Sequence, residues 1–159
     1  VKIGGMEKQI VITEYKDSYK DKVIQLVGAC LVDQGVIEEK DLPIDDGDLQ
    51  KITEVYQGKS RFWIAVDGDK VVGTVGILDR GENVAKLRRM FVQKEYRGTG
   101  LGQKLLDTAL TFAKEAGYTK IKLNTHVNMQ RAHHFYEKNK FILMGEKGSG
   151  CKIVYEKSL

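Results

Sequence analysis

Proline is nearly absent: Pro43 is the only one in 159 residues, which excludes a proline-rich linker chain. Cysteine is as scarce. Cys30 and Cys151 are too few and too far apart to form a disulfide scaffold. No apolar run approaches the roughly 20 residues that a membrane-spanning helix needs. The first residues lack the basic-then-apolar pattern of a secretion signal. Glycine is plentiful, at 17, but has no three-residue period, so collagen is excluded. Three histidines, His126, His133 and His134, stand without ligand spacing to a carboxylate or cysteine, so no metal is expected. What remains is a chain with 42% hydrophobic and 30% charged residues, the balance of a globular protein. The length suits one domain, expected over residues 6–159 in the cytoplasm with no membrane attachment, with residues 1–5 read as an expression remnant.

Charge is mildly positive, +4, and most basic residues alternate with acids, which disfavours a nucleic-acid partner. Residues 38–48 depart from this, with six carboxylates against Lys40 alone. Such a run is most often a solvated surface with helix caps; folded over a cleft, it would attract a cationic amine.

The expected order of elements is β, α, α, β, β, β, α, β, α, β, β. A strand over 8–15 precedes a helix opened by Ser18 and Asp21 as a capping box, burying Val23, Val27, Cys30 and Leu31. Asp48 is expected to cap a second short helix carrying Leu49, Ile52 and Tyr56 on one face. Strands over 61–66 and 70–77 flank Asp67-Gly68-Asp69, a hairpin signal, and a further strand covers 85–92. On that strand the adjacent Arg88 and Arg89 should face opposite sides. Leu101, Leu105, Ala109, Phe112, Ala113 and Ala116 recur at helical spacing up to Gly117. A strand over 120–125, a helix over 129–139 and a hairpin around Gly145, Gly148 and Gly150 complete a mixed α/β domain.

The most informative stretch is Arg97-Gly98-Thr99-Gly100-Leu101-Gly102, between a strand and a strong amphipathic helix. Helix N-termini offer unpaired N–H groups, and glycines let backbone approach a phosphate, so an anion cradle is expected. The dinucleotide fingerprint needs two residues between its last glycines, and only Leu101 is there. A Walker loop needs Gly-Lys-Ser/Thr, and Gln103 stands before Lys104.

Across nearly the whole chain, and specifically from Val71 to Phe141, the sequence resembles the GNAT superfamily of acyl-CoA N-acyltransferases. The pyrophosphate loop Gln/Arg-x-x-Gly-x-Gly/Ala is matched by Arg97, Gly100 and Gly102, after the strand Leu-Arg-Arg-Met-Phe-Val. A late helix matches through Ala132, Phe135, Tyr136, Glu137 and Lys138, followed by Phe141. The resemblance implies a twisted, mostly antiparallel sheet with a central βαβ core. It implies that Met90, Phe91 and Val92 pair with the pantetheine arm, that residues 97–102 cradle the pyrophosphate of acetyl-CoA, and that Tyr136 is the general acid. The family's Asn, seven residues before the tyrosine, is Met129 here, leaving the preceding Asn128 as the candidate for that cofactor contact. The glycine before the last Phe is Lys140, so Asn139 is expected to take the left-handed conformation that Asn tolerates. The position of the glutamate base in the histone-acetyltransferase branch is Lys86, which argues against that proton route.

The chemistry stands without the family name. An amine must lose its proton to attack a thioester, and a tyrosine O–H suits protonation of the departing thiolate. Backbone N–H groups can polarise the carbonyl, and no covalent enzyme intermediate is needed. Two readings stay open: acetyl transfer to a primary amine of a small molecule or peptide, or a coenzyme A sensor that has lost transfer. Glu82, Asp79 and a relayed water are all candidates for the base. A homodimer is common in families of this type.

Overall fold

The computed structural model describes residues 2–3, 6–7, 9–147 and 152–159. Among the described residues nine strands and five α-helices follow one another: β1 (Lys2–Ile3), β2 (Met6–Glu7), β3 (Ile10–Glu14), α1 (Lys20–Asp33), α2 (Gly47–Gln50), α3 (Ile52–Val55), β4 (Arg61–Asp67), β5 (Lys70–Asp79), β6 (Val84–Val92), α4 (Leu101–Glu115), β7 (Lys120–His126), α5 (Gln130–Lys138), β8 (Ile142–Lys147) and β9 (Lys152–Ser158). β1 and β2 pair with each other, where no structure was expected before Met6. The other seven form one sheet in the order β3-β4-β5-β6-β7-β9-β8.

Helices cover both faces of this sheet, and β4 shows how the chain assigns them. Its residues alternate in direction. Phe62 and Ile64 join the core under α1 with Val23, Val27 and Leu49, and Trp63 and Ala65 join the core under α4 with Leu105 and Ala109. Gly73 lets α4 lie close, because a Cβ there would stand 2.7 Å from Leu105 Cδ1.

β6 and β7 are the parallel pair, and their pairing is short. Val84, Ala85 and Lys86 face Lys120, Ile121 and Lys122, after which residues 87–92 and 123–126 diverge. A bulge helps to bend β6 away, since pairing with β5 slips between Thr74 and Gly76. The result is a V-shaped opening in the middle of the sheet.

Several local expectations change. Helix α1 begins after a short 3-10 turn at Asp17–Tyr19, and its N-cap, Tyr19, makes no side-chain cap bond, so Ser18 and Asp21 form no capping box. The capping box lies instead at Glu38 and Asp41. Asp48 sits inside α2 rather than before it, and its carboxylate is drawn across to β6. Leu49, Ile52 and Tyr56 are buried as expected. Asn139 keeps φ at −88°, and Lys140, standing where the family has glycine, takes the left-handed φ of +68°. The Phe135 carbonyl explains this: it receives the Asn139 amide on both its backbone N–H and its side-chain Nδ2. Those bonds hold Asn139 in the helical turn and move the reversal one residue on. Cys151, Gly148 and Gly150 lie outside the described residues.

Candidate active site

The glycine-rich loop has the geometry of an anion cradle. Gly98 and Gly100 have φ of +74° and +89°, conformations that a side chain resists. Gly100 is the N-cap of the 15-residue α4, whose first-turn N–H groups point out of the helix end. Leu101 packs its side chain into the core, and the Thr99 hydroxyl donates to the Tyr96 carbonyl. Both therefore offer a ligand chiefly their backbone. The Arg97 guanidinium donates to Asp33 on α1 and, at 3.2 Å, to the Val92 carbonyl, which ties the loop to α1.

Above the cradle lies a cavity of about 410 Å³ lined by Arg97, Gly98, Gly100, Gly102, Val92 and Phe135, among others. A second cavity, of about 290 Å³, occupies the V between β6 and β7 and is lined in part by Arg88, Phe91, Asn124 and His126. Met90, Ala132 and Tyr136 line both. The sequence-predicted cradle and Tyr136 are thus brought to one groove. Asn128 is not brought into it: its amide donates to the Gly35 carbonyl at 3.1 Å, and its side chain lines neither cavity, whereas Met129 lines the second.

Tyr136 is buried against the rings of Phe135, Phe141 and Tyr155. Burial pushes its pKa above the ordinary tyrosine value, so the hydroxyl keeps its proton at neutral pH. Cys30 is also buried, its thiol beside the Val92 carbonyl at 3.5 Å. Burial raises its pKa to about 11, so it is a core thiol and not a nucleophile. Among the described residues no group of histidines, cysteines and carboxylates could hold a metal.

The sequence missed how β6 is held. At the bulge Arg89 adopts a left-handed φ of +53°. Its carbonyl accepts from the buried Thr74 hydroxyl at 2.7 Å. Its guanidinium grips both Asp48 oxygens, at 3.0 and 2.5 Å, and reaches Asp46 at 2.8 Å. Arg88 meets the same Asp48 at 3.9 Å, so the bulge brings to one side two arginines that a regular strand would separate. Burial opposes the Asp48 charge, but Arg89, Arg88 and the Tyr56 hydroxyl outweigh it and hold the pKa below the ordinary carboxylate range. The acidic run is accordingly not spread over the cleft as free charge: Asp46 and Asp48 are engaged by arginine.

The two carboxylates considered as bases stand apart from the groove. Asp79 accepts from the Gly81 N–H at 3.0 Å and lines neither cavity. Glu82 lines a separate, adjoining cavity of about 340 Å³.

Comparison with known proteins agrees with this fold. The family model described as "Acetyltransferase (GNAT) family" matches residues 24–141. N-acetyltransferase 8 of Rattus norvegicus is 36% identical over 106 residues, covering 62% of this chain and 48% of that protein. N-acetylaspartate synthetase of Xenopus tropicalis is 41% identical over 93 residues, covering 57% and 34%. The chain thus spans about half or less of the length of these curated relatives. Among solved structures, an acetyltransferase of the GNAT family from Staphylococcus aureus Mu50 superposes with a TM-score of 0.83 at 30% identity, covering 95% of this chain and 99% of that one. The PaiA N-acetyltransferase of Thermoplasma acidophilum, solved with coenzyme A, shares the fold at a TM-score of 0.81 and 20% identity, covering 95% and 99%.

Proposed function

Because the chain belongs to the acetyltransferase (GNAT) family, we propose that it transfers the acetyl group of acetyl-CoA to a primary amine by direct attack in a ternary complex. The observation that carries this reading is the position of Tyr136, in the shared wall of the cradle cavity and the cavity between the strands. A thioester seated from the cradle toward the V would meet an amine arriving from the other side at that hydroxyl.

The cradle fits a pyrophosphate: two left-handed glycines and a long helix's N-terminus present N–H donors and no side chain in the way. Beyond Lys86 the β6 edge is not paired to β7; the Arg89 and Val92 carbonyls are engaged by Thr74 and Arg97, and the other backbone groups of this edge are the ones that would meet the amides of a pantetheine arm. In the step itself the amine nitrogen bonds the acetyl carbon as the carbon–sulfur bond breaks. The departing thiolate takes the Tyr136 proton, the amine's surplus proton leaves to water, and water restores the tyrosine. Of the candidates Asp79, Glu82 and a relayed water, the two carboxylates line neither cavity, which supports water over them as the proton's destination. The high pKa of Tyr136 keeps it a donor throughout the neutral range.

The test is release of free thiol from acetyl-CoA with a panel of amines. Tyr136→Phe should lower kcat by about 100-fold, within the usual worth of a general acid, and leave the Kd for coenzyme A unchanged. A fully active Tyr136→Phe would make Tyr136 a packing residue. Tight coenzyme A binding without thiol release for any amine would instead identify a sensor.

A further inference from the structure

Helix α5 carries Tyr136 but has little apolar surface to hold it. Tyr136 is the one buried residue of its nine, with Ala132 and Phe135 only partly packed on the core. The N-cap, Met129, makes no side-chain cap bond. The neighbouring α4, whose first turn belongs to the cradle, supplies a tie through a chain of polar side chains. Gln103 Nε2 donates to Asp107 one turn on, at 2.9 Å, and across to Asn139 Oδ1, at 2.8 Å. Asn139 Nδ2 in turn donates to the Phe135 carbonyl at 2.9 Å.

The direction of this chain is fixed at both ends. The Asp107 carboxylate and the Phe135 carbonyl only accept, so each amide between them must turn its NH₂ group toward them. Turning either amide over would set oxygen on oxygen or nitrogen on nitrogen. The chain therefore has one arrangement, and it crosses the outer wall of the groove, where Gln103 and Phe135 both line the cradle cavity. Its far end acts on the backbone of the tyrosine. The Tyr136 carbonyl accepts the N–H groups of Asn139 and Phe141 at 3.1 and 3.0 Å, and Lys157 of β9 donates to the Asn139 carbonyl at 3.0 Å.

We propose that this chain is a clamp that sets the Tyr136 hydroxyl against the thioester, with Gln103 and Asn139 as positioning residues for the transfer. This rests on the transfer reading above and adds the residues that fix the place of its acid. The cradle and the tyrosine belong to different helices, so the donor's phosphates and the proton donor keep one separation only if α4 and α5 do. A shift of about 1 Å at a reacting group can cost about 100-fold in rate. Ring packing on Phe141 and Tyr155 is non-directional and tolerates small shifts of α5. Hydrogen bonds weaken steeply with angle, and the bonds of Asn139 to Gln103 and Phe135 are partly buried, where water competes less.

Gln103→Met removes both donors at nearly the same size, Asn139→Ala removes the receiving side, and Gln103→Lys keeps N–H donors for Asp107 and Asn139 alike. Thiol release is followed with an amine that the wild type accepts. Gln103→Met and Asn139→Ala should each lower kcat at least about tenfold, with the Kd for coenzyme A within about threefold of wild type by calorimetry. Gln103→Lys should recover at least about half of kcat. In a Tyr136→Phe background Gln103→Met should cost less than about a further twofold, because the clamp acts through the hydroxyl. An unchanged kcat for Gln103→Met, a Kd that rises as far as kcat falls, or an equal loss in the Tyr136→Phe background would overturn the proposal. A readout without activity separates the clamp from the transfer reading. Amide hydrogen exchange at Asn139 and Phe141 should quicken at least about tenfold in Gln103→Met, with exchange in the middle of α4 as in the wild type. If no amine releases thiol, the transfer reading fails and the positioning role with it, while exchange still decides whether the clamp holds α5. Unchanged exchange would overturn the clamp in either case.

Discussion

Asp48 ties together three groups from two parts of the chain: the Arg89 fork, the looser Arg88 and, at 2.9 Å, the Tyr56 hydroxyl. Removing its charge leaves the arginine that holds the strained turn of β6 without its chief partner. Asp48→Asn should therefore lower stability by about 2–4 kcal/mol near pH 7, as loss of one half of a mostly buried ion pair does. The pH dependence has a definite sign. A carboxylate whose pKa folding depresses stabilises above its unfolded value, near 3.9, and that contribution is lost as pH falls through the folded value. The gap in melting temperature between wild type and Asp48→Asn should be full at pH 7 and narrow below about pH 4. Lys140 offers the opposite case. Its left-handed φ of +68° strains any side chain, so Lys140→Gly should raise stability by about 0.5–1 kcal/mol, measured by chemical denaturation.

At the scale of elements, the site depends on two close fits. The V exists because β6 leaves β7 after Lys86, and α4 reaches its place above the sheet because Gly73 leaves room for Leu105. Gly73→Ala should destabilise by about 1–3 kcal/mol, the usual cost of overpacking, with a melting curve as the measurement. Gly100→Ala meets no neighbouring atom within 4 Å, but its φ of +89° is costly for alanine. Relaxing that angle would turn the first N–H groups of α4, so its main effect should be on coenzyme A: a Kd raised at least tenfold by calorimetry, with the fold retained.

For the whole molecule, the net charge is +4, and Arg97, Arg131 and Lys138 line the cradle cavity, where among the described residues no carboxylate does. The acidic run that sequence suggested as a lure for cationic amines has its two innermost members engaged by Arg89. Electrostatic steering of an anionic donor should make kcat/KM for acetyl-CoA fall a few-fold as ionic strength rises from about 0.05 to 0.5 M, with kcat nearly constant. Stopped-flow measurement of coenzyme A association, with the rate falling and dissociation little changed, would check this.

Sequence alone determined what depends on short-range pattern. Helical spacing marked α4, β-rich runs around a glycine turn marked β4 and β5, alternation marked β7, and the glycine spacing of 97–102 marked the cradle, because each reports a local backbone geometry. Tyr136 entered through the family resemblance, which sets such a tyrosine after that loop. What only the tertiary structure decided involves partners far apart in the chain. Asp48 reads as a helix cap until Arg89 is placed 41 residues away, where an ion pair outcompetes a local turn. Arg88 and Arg89 read as facing apart because the alternation rule holds only for an unbroken ladder, and the bulge depends on Thr74 in the neighbouring strand. The lining of the cavity between β6 and β7 is set by the register of β6, β7 and β9, and pairing between distant strands is a choice among many that no single stretch of sequence encodes.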